Sequence, residues 1–297
     1  MRATIGLLAY PTTSIKPGWK SKARSPEHQP ACMTDHWDNY HRHWKLLDAP
    51  LRPTAETVAV FDRELDLKNA DTLLLGVTPE LAILSKSMLA IDQSATMISG
   101  VWAGNNASRR AIAGNWLSLP VDQASVDAVI GDGCLSAVDS RAARDALFSE
   151  IARVLKPGGH AAIRVFARPE VADDLHSIEA TVLAGGVENF HALKWRIAMA
   201  CTTRDRDQSV SVQTIRATFD SLFPDRVALA QRTGWTIASI DTIDVYAGSA
   251  TKYSFATLAT LIDEARPWFS DVRVVASGSY PLAERCPLLV LGSPRHR

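Results

Sequence analysis

What this sequence lacks narrows its chemistry before any motif is read. No two of its four cysteines, Cys32, Cys134, Cys201 and Cys286, stand at C-x-x-C spacing, so neither a zinc ribbon nor a disulfide framework is expected. A reducing cytoplasm suits such isolated thiols. No apolar run approaches the roughly 18 residues of a membrane span, and no membrane association is expected. Charge of one sign is not in excess either: Lys+Arg and Asp+Glu each total 32. That balance offers no basic surface to a phosphate backbone, so nucleic acid is not expected as a partner. The apolar stretch Ile5–Tyr10 behind Arg2 is too short for a signal-peptide core and lacks a small-residue cleavage pattern.

What is present is the composition of an ordinary globular chain, with 46% hydrophobic and 22% charged residues among 297. Prolines at 11, 17, 26 and 30 break any regular structure near the start, so residues 1–31 are expected to form a mobile arm ahead of a domain spanning 32–297. From Asp71 to about Phe166, apolar strand-like runs alternate with helical spacing, the pattern of βαβ units and a parallel sheet covered on both faces. The runs are Asp71–Gly76, Ser87–Ile91, Ala111–Ala113, Val126–Ile130 and His160–Phe166. Val77-Thr78-Pro79-Glu80 is expected to open a helix, and Arg141–Leu155 shows helical spacing that Lys156-Pro157-Gly158-Gly159 stops.

Ligands of such sheets bind beyond the carboxyl ends of the strands. The residues there are Gly76–Glu80, Asp92, Asn115-Trp116 and Gly131-Asp132-Gly133. A carboxylate closing the second strand can accept hydrogen bonds from both hydroxyls of a ribose; its bland alternative is the N-cap of the next helix.

In order and spacing, Leu75-Gly76-Val77-Thr78-Pro79-Glu80, Asp92, Gly114-Asn115-Trp116 before Leu119-Pro120, Val126–Val129 and Arg153–Gly159 resemble the motifs of class I S-adenosylmethionine-dependent methyltransferases. The resemblance implies a doubly wound Rossmann-like α/β fold with a seven-stranded sheet, whose sixth and antiparallel seventh strands are Asp271–Ala276 and Pro287–Leu291. It also implies S-adenosylmethionine as cofactor, with Gly76 approaching its methionine part, Asp92 at the ribose, Asn115 and Trp116 beside adenine, and Asp132 and Gly133 on the floor near the sulfonium. Thr78 and Glu80 share the Gly76 turn. The sequence departs from the family in keeping only Gly76 of the usual glycine-rich turn and in placing Asn115 where an Asp is frequent. An amide oxygen still accepts from an amino group. The same scarcity of glycine, with Pro79 removing a backbone donor, disfavours a nicotinamide dinucleotide, whose pyrophosphate needs such donors. A non-catalytic or altered-cofactor member of the fold is the other alternative.

Residues 170–265 read as a mainly helical insertion before the sixth strand, a cap in which a small-molecule acceptor would be selected, with Trp195 and Tyr246 as selectivity positions. Trp37, Tyr40 and Trp44 recur at i, i+3 and i+7, which makes one aromatic stripe. That stripe is either a core-facing helix or an N-terminal helical lid over the cofactor, with Arg52 placed to pair with the methionine carboxylate. Methyl transfer needs no triad, but a proton-bearing acceptor gains from a base. Asp132, His36, His41 and His191 are the candidates, and Cys134 reads as a packing residue. Cys32, His36, His41 and His43 lack metal-site spacing, so no metal is expected.

Overall fold

The computed structural model describes residues 36–296. The arm expected over residues 1–31, and Cys32, lie outside the described residues. The long sheet forms from β1 (Asp71–Leu75), β2 (Ser87–Asp92), β3 (Arg109–Ala113), β4 (Val126–Asp132) and β5 (Leu155–Arg164), completed by β8 (Phe269–Val275) and β9 (Leu288–Pro294). A two-stranded ribbon, β6 (Ser209–Ser211) with β7 (Lys252–Ser254), stands apart. The strand order is β3-β2-β1-β4-β5-β9-β8, with β1 to β5 mutually parallel and β9 antiparallel to both of its neighbours. This is the doubly wound Rossmann-like sheet that the resemblance implies. Its central strands are apolar almost throughout because both of their faces are covered; Leu73, Leu74, Val129, Ile130 and Ile163 are fully buried.

Three differences from the sequence reading have local causes. Val77–Glu80 opens no helix. The amides of Leu81 and Ala82 both donate to the Thr78 carbonyl in a single turn, and Ser85 Oγ then ties the chain to Ala70 O and Ser87 O at the start of β2. Lys156–Gly159 ends the helix as expected but also belongs to β5, whose pairing with β4 shifts register between Val126 and Ala128. Between these pairs β5 advances five residues against two on β4, and the excess is taken up by the Pro157-Gly158-Gly159 excursion. The third lies at the lid: α1 (Trp37–Tyr40) is one turn of α-helix that tightens into a 3₁₀ segment, His41–Leu46.

Next come α2 (Ala55–Leu65), α3 (Ala95–Val101) and α4 (Arg141–Val154), each opened by a hydroxyl N-cap: Thr54, Ser94 and Ser140. The insertion contains α5 (Leu175–Leu183), α6 (Phe190–Ala200), α7 (Val212–Leu222), α8 (Arg226–Thr233) and α9 (Ile237–Asp241), with β6 between α6 and α7 and with the 3₁₀ turn Thr242–Tyr246 and β7 after α9. These elements build an apolar core of their own around Phe190, Leu193, Ile215, Phe219 and Tyr246. The last helix, α10 (Leu258–Ala265), instead adds Leu261 and Ala265 to the sheet core, against α4. The buried Arg144 of α4 locks this junction by donating to both Glu264 oxygens at 2.7 and 2.9 Å and to the Asp207 carbonyl.

Candidate active site

The carboxyl ends of β1 and β2 are held together by one carbonyl. Ile91 O accepts from the Gly76 amide at 2.8 Å and from the Trp116 indole at 2.6 Å, which brings the Trp116 ring across the Gly76 turn. Gly76 has φ +98°, and a Cβ there would sit 3.8 Å from Trp116 and 3.9 Å from an Asp92 oxygen. Glycine suits this place both for its left-handed backbone and for the close approach it leaves open. The N-cap of α3 is Ser94, not Asp92; Asp92 Oδ1 accepts from the Ser94 amide at 2.8 Å.

Two adjoining cavities open along this edge of the sheet. The outer one, about 280 Å³, is lined by Asp92, Asn115, Trp116, Ala137, Asp139 and Lys252 among others. The inner one, about 100 Å³, is lined by Gly76, Thr78, Asp92, Asp132, Gly133 and Cys134 from the sheet edge. Trp37, Tyr40 and Trp44 close it from the segment before α2, and Trp195 and Tyr253 from the insertion. Trp37, Asp92, Trp116 and Ala137 belong to both cavities, so Asp92 stands at their junction.

Thus Tyr40, Trp44, Gly76, Thr78, Asp92, Trp116, Asp132 and Gly133 meet at the inner cavity, while Asn115 lies only in the outer one. Asn115 Oδ1 also accepts from the Leu117 amide at 2.9 Å. Arg52 and Glu80 line neither cavity and hold each other, with Arg52 Nε donating to Glu80 Oε1 at 2.8 Å. The second Glu80 oxygen is buried without a hydrogen-bond partner, and the charge of Glu80 reaches Asp132. Arg52 lies over the Trp44 ring, which ties the lid to this corner.

The base candidates separate on geometry. Asp132 accepts from Arg164 Nε at 2.5 Å and from Nη2 at 3.0 Å, so both of its oxygens are engaged. Burial pushes this carboxyl up against the pull of the Arg164 guanidinium. Arg164 is fully buried, donates to the Tyr280 hydroxyl at 3.0 Å and lies over the Phe166 ring. His36 is buried with Nε2 2.7 Å from the Tyr253 hydroxyl. His41 lies against Gly100 of α3 and lines neither cavity. His191 donates from Nε2 to the Leu46 carbonyl at 2.9 Å, and burial, then the Lys194 charge, pull its imidazole down to about 3. It too lines neither cavity. Burial pushes the Cys134 thiol up to about 12, which keeps it protonated. Gly133, at φ +69°, faces Phe166 so closely that a Cβ would come within 2.5 Å of the ring.

Sequence reasoning missed Phe166, Ser136 and Tyr253 as cavity walls. Phe166 follows a strand at the carboxyl edge and could have been found by the same rule as Asp92. Tyr253 sits in a three-residue strand whose pattern carries no such signal.

A family profile described as a methyltransferase domain matches residues 76–163, the stretch from the Gly76 turn to the end of β5. Residues 76–163 are thus similar to a methyltransferase domain, and they span the strands β2 to β4 and most of β5 of the sheet. Among solved structures, one named as a zinc-dependent alcohol dehydrogenase from Rhodobacter sphaeroides aligns with 89% of this chain and 100% of its own at 12% identity, with a TM-score of 0.55. A methyltransferase from Haloferax volcanii, solved with a methyltransferase activator, aligns over 90% and 99% at 14% identity and a TM-score of 0.50. The N-methyltransferase NodS from Bradyrhizobium japonicum, solved with S-adenosyl-L-homocysteine, aligns over 88% and 100% at 13% identity and a TM-score of 0.48. At these identities the likeness is one of fold, and the names belong to those proteins. No curated protein matches the sequence. Among the described residues, no helix is long and apolar enough to cross a membrane.

Proposed function

We propose that the protein transfers a methyl group from S-adenosylmethionine to a small-molecule acceptor held between the lid and the cap. The observation that carries this reading is the pair of adjoining cavities with Asp92 at their junction. Their residues fit a long ligand with a sugar in the middle. Asn115 and Trp116 border the outer cavity, where an adenine would rest, and Asp92 would take the ribose hydroxyls. Gly76 and Thr78 border the inner cavity, where the methionine end would rest. When bound, the cofactor supplies an electrophilic methyl on a sulfonium sulfur.

The protein's share is positional. Methyl transfer proceeds in line, and holding the acceptor atom about 3 to 3.5 Å from the methyl accounts for much of the acceleration. Tyr40, Trp44, Trp195 and Tyr253 wall that space and exclude water, and their ring faces suit a cationic centre. Because Asp132 is held by Arg164, the floor orients and does not abstract protons. The zero net charge and the closed, aromatic-walled space favour a small acceptor over a nucleic acid. Cys134, Cys201 and Cys286 are free thiols, which suits a cytoplasmic location. The Gly76 turn leads into turns and not into a helix N-terminus, so a pyrophosphate would find no dipole there.

Calorimetry tests the reading. S-adenosylhomocysteine is expected to bind and NADH not. Asp92→Ala should weaken that binding by about 1.5 to 3 kcal/mol, the range for hydrogen bonds to a charged group, in a variant that remains folded. Failure of the wild type to bind S-adenosylhomocysteine, or unchanged affinity in the folded variant, overturns it.

A further inference from the structure

The seam between lid and cap contains a charged group that the mechanism above does not use. Lys194, on α6, is fully buried, and its Nζ has no hydrogen-bond partner and forms no ion pair among the described residues. Four rings surround it: Tyr246 at 5.3 Å, Trp195 at 5.8 Å, Tyr40 at 5.9 Å and Phe190 at 6.0 Å from their centroids. Tyr40 comes from the lid and the other three from the cap. Two more buried donors in the same wall are unpaired, the indole N–H groups of Trp44 and Trp195. Ammonium and indole N–H can only donate. These three unpaired donors suit an occupant rich in acceptors, and the buried amine asks for negative charge.

We propose that the acceptor binds as a carboxylate, received by Lys194 with the indole N–H groups of Trp44 and Trp195 beside it. This inference rests on the methyl-transfer reading and names the chemical class of its substrate. Tyr40 and Trp195 line the inner cavity and also flank Lys194, so the same two rings border the amine and the space where the methyl would be presented. Lys194 anchors the acceptor and sets its orientation; the atom that is methylated lies elsewhere on the molecule. Buried lysines without a partner are expensive to keep, since burial favours the neutral amine, and a ligand that supplies the counter-charge removes that expense. The four rings compensate it only in part, since a ring face offers a partial charge and no hydrogen-bond acceptor lone pair.

The test uses the full chain with saturating S-adenosylhomocysteine and reads binding by tryptophan fluorescence, with 4-hydroxybenzoate, indole-3-acetate and octanoate each compared with its own amide. At least one carboxylate is expected to bind tenfold or more tightly than its amide, about 1.4 kcal/mol. The preference should vanish in Lys194→Met and in Lys194→Gln, while affinity for S-adenosylhomocysteine stays the same. Lys194→Arg should retain part of it. The inference is overturned if no carboxylate is preferred by the wild type, or if both uncharged variants keep the preference. Should S-adenosylhomocysteine not bind, the methyl-transfer reading fails by itself, while the carboxylate and amide pairs measured without it still report on Lys194.

Discussion

Asp132→Ala is expected to destabilise the protein by about 3 to 5 kcal/mol, seen as a lower midpoint in urea unfolding, because it strands a guanidinium at the centre of the fold. Arg164 is fully buried at the end of β5, and Asp132 at the end of β4 supplies its only countercharge among the described ion pairs. Its remaining contacts are a hydrogen bond to the Tyr280 hydroxyl and the faces of Phe166 and Tyr280, which together do not replace a bidentate carboxylate. The pair Asp132→Leu with Arg164→Met should recover most of the loss, since removing both charges removes both desolvation penalties. If Asp132→Ala unfolds at the wild-type urea concentration, Arg164 has found another partner and the floor of the inner cavity is not the locked pair described above. If the double replacement is no better than the single one, the loss arises from packing.

The parts of this molecule that were legible in its sequence are those where burial dictates residue type over a whole element. The strands β1, β2 and β4 are covered on both faces, so Asp71–Leu75, Ser87–Asp92 and Val126–Asp132 had to be apolar nearly throughout, and sheet topology then places their following residues at the ligand edge. Asp92, Trp116 and Gly133 could be named for that reason. The Gly76 turn was misread because Pro79 and Glu80 are typical of a helix start, whereas the short path from β1 to β2 is closed by the Thr78 carbonyl and Ser85. The ribbon strands β6 and β7 are three residues each, too short for alternation to show. Pairings between distant segments were illegible altogether. Arg52 with Glu80 and Asp132 with Arg164 each decide what a predicted site residue can do, and no local spacing announces either. Lys194 was hidden for a related reason: within Leu193-Lys194-Trp195-Arg196 it reads as the polar side of a helix, and only the packing of the lid on the cap buries it.

That buried amine makes stability depend on pH in a stated direction. Burial pulls Lys194 down from 10.5 to about 7 in the folded chain, while the unfolded chain keeps the ordinary value. Below about 7 both states are charged and the folded state bears the full penalty. Between about 7 and 10.5 the unfolded state binds more protons, so this group makes stability rise with pH; above that window both states are neutral and the penalty is gone. Lys194→Met should therefore be more stable than wild type by about 4 kcal/mol near pH 7.5, with the gap narrowing to about 1 kcal/mol near pH 9.5. The other groups facing Lys194 leave this window clear. His191 is already neutral there, His43 is pulled below its ordinary value by burial first and then by Lys194, and burial raises the Tyr40 and Tyr246 hydroxyls above theirs. Urea titrations of both proteins at the two pH values measure the gap. A constant gap, or one that widens toward pH 9.5, shows that Lys194 remains charged with a partner in the folded protein. A narrowing gap, together with a wild-type chain that a bound carboxylate stabilises more near pH 7.5 than near pH 9.5, ties the penalty of the unpaired amine to the ligand that relieves it.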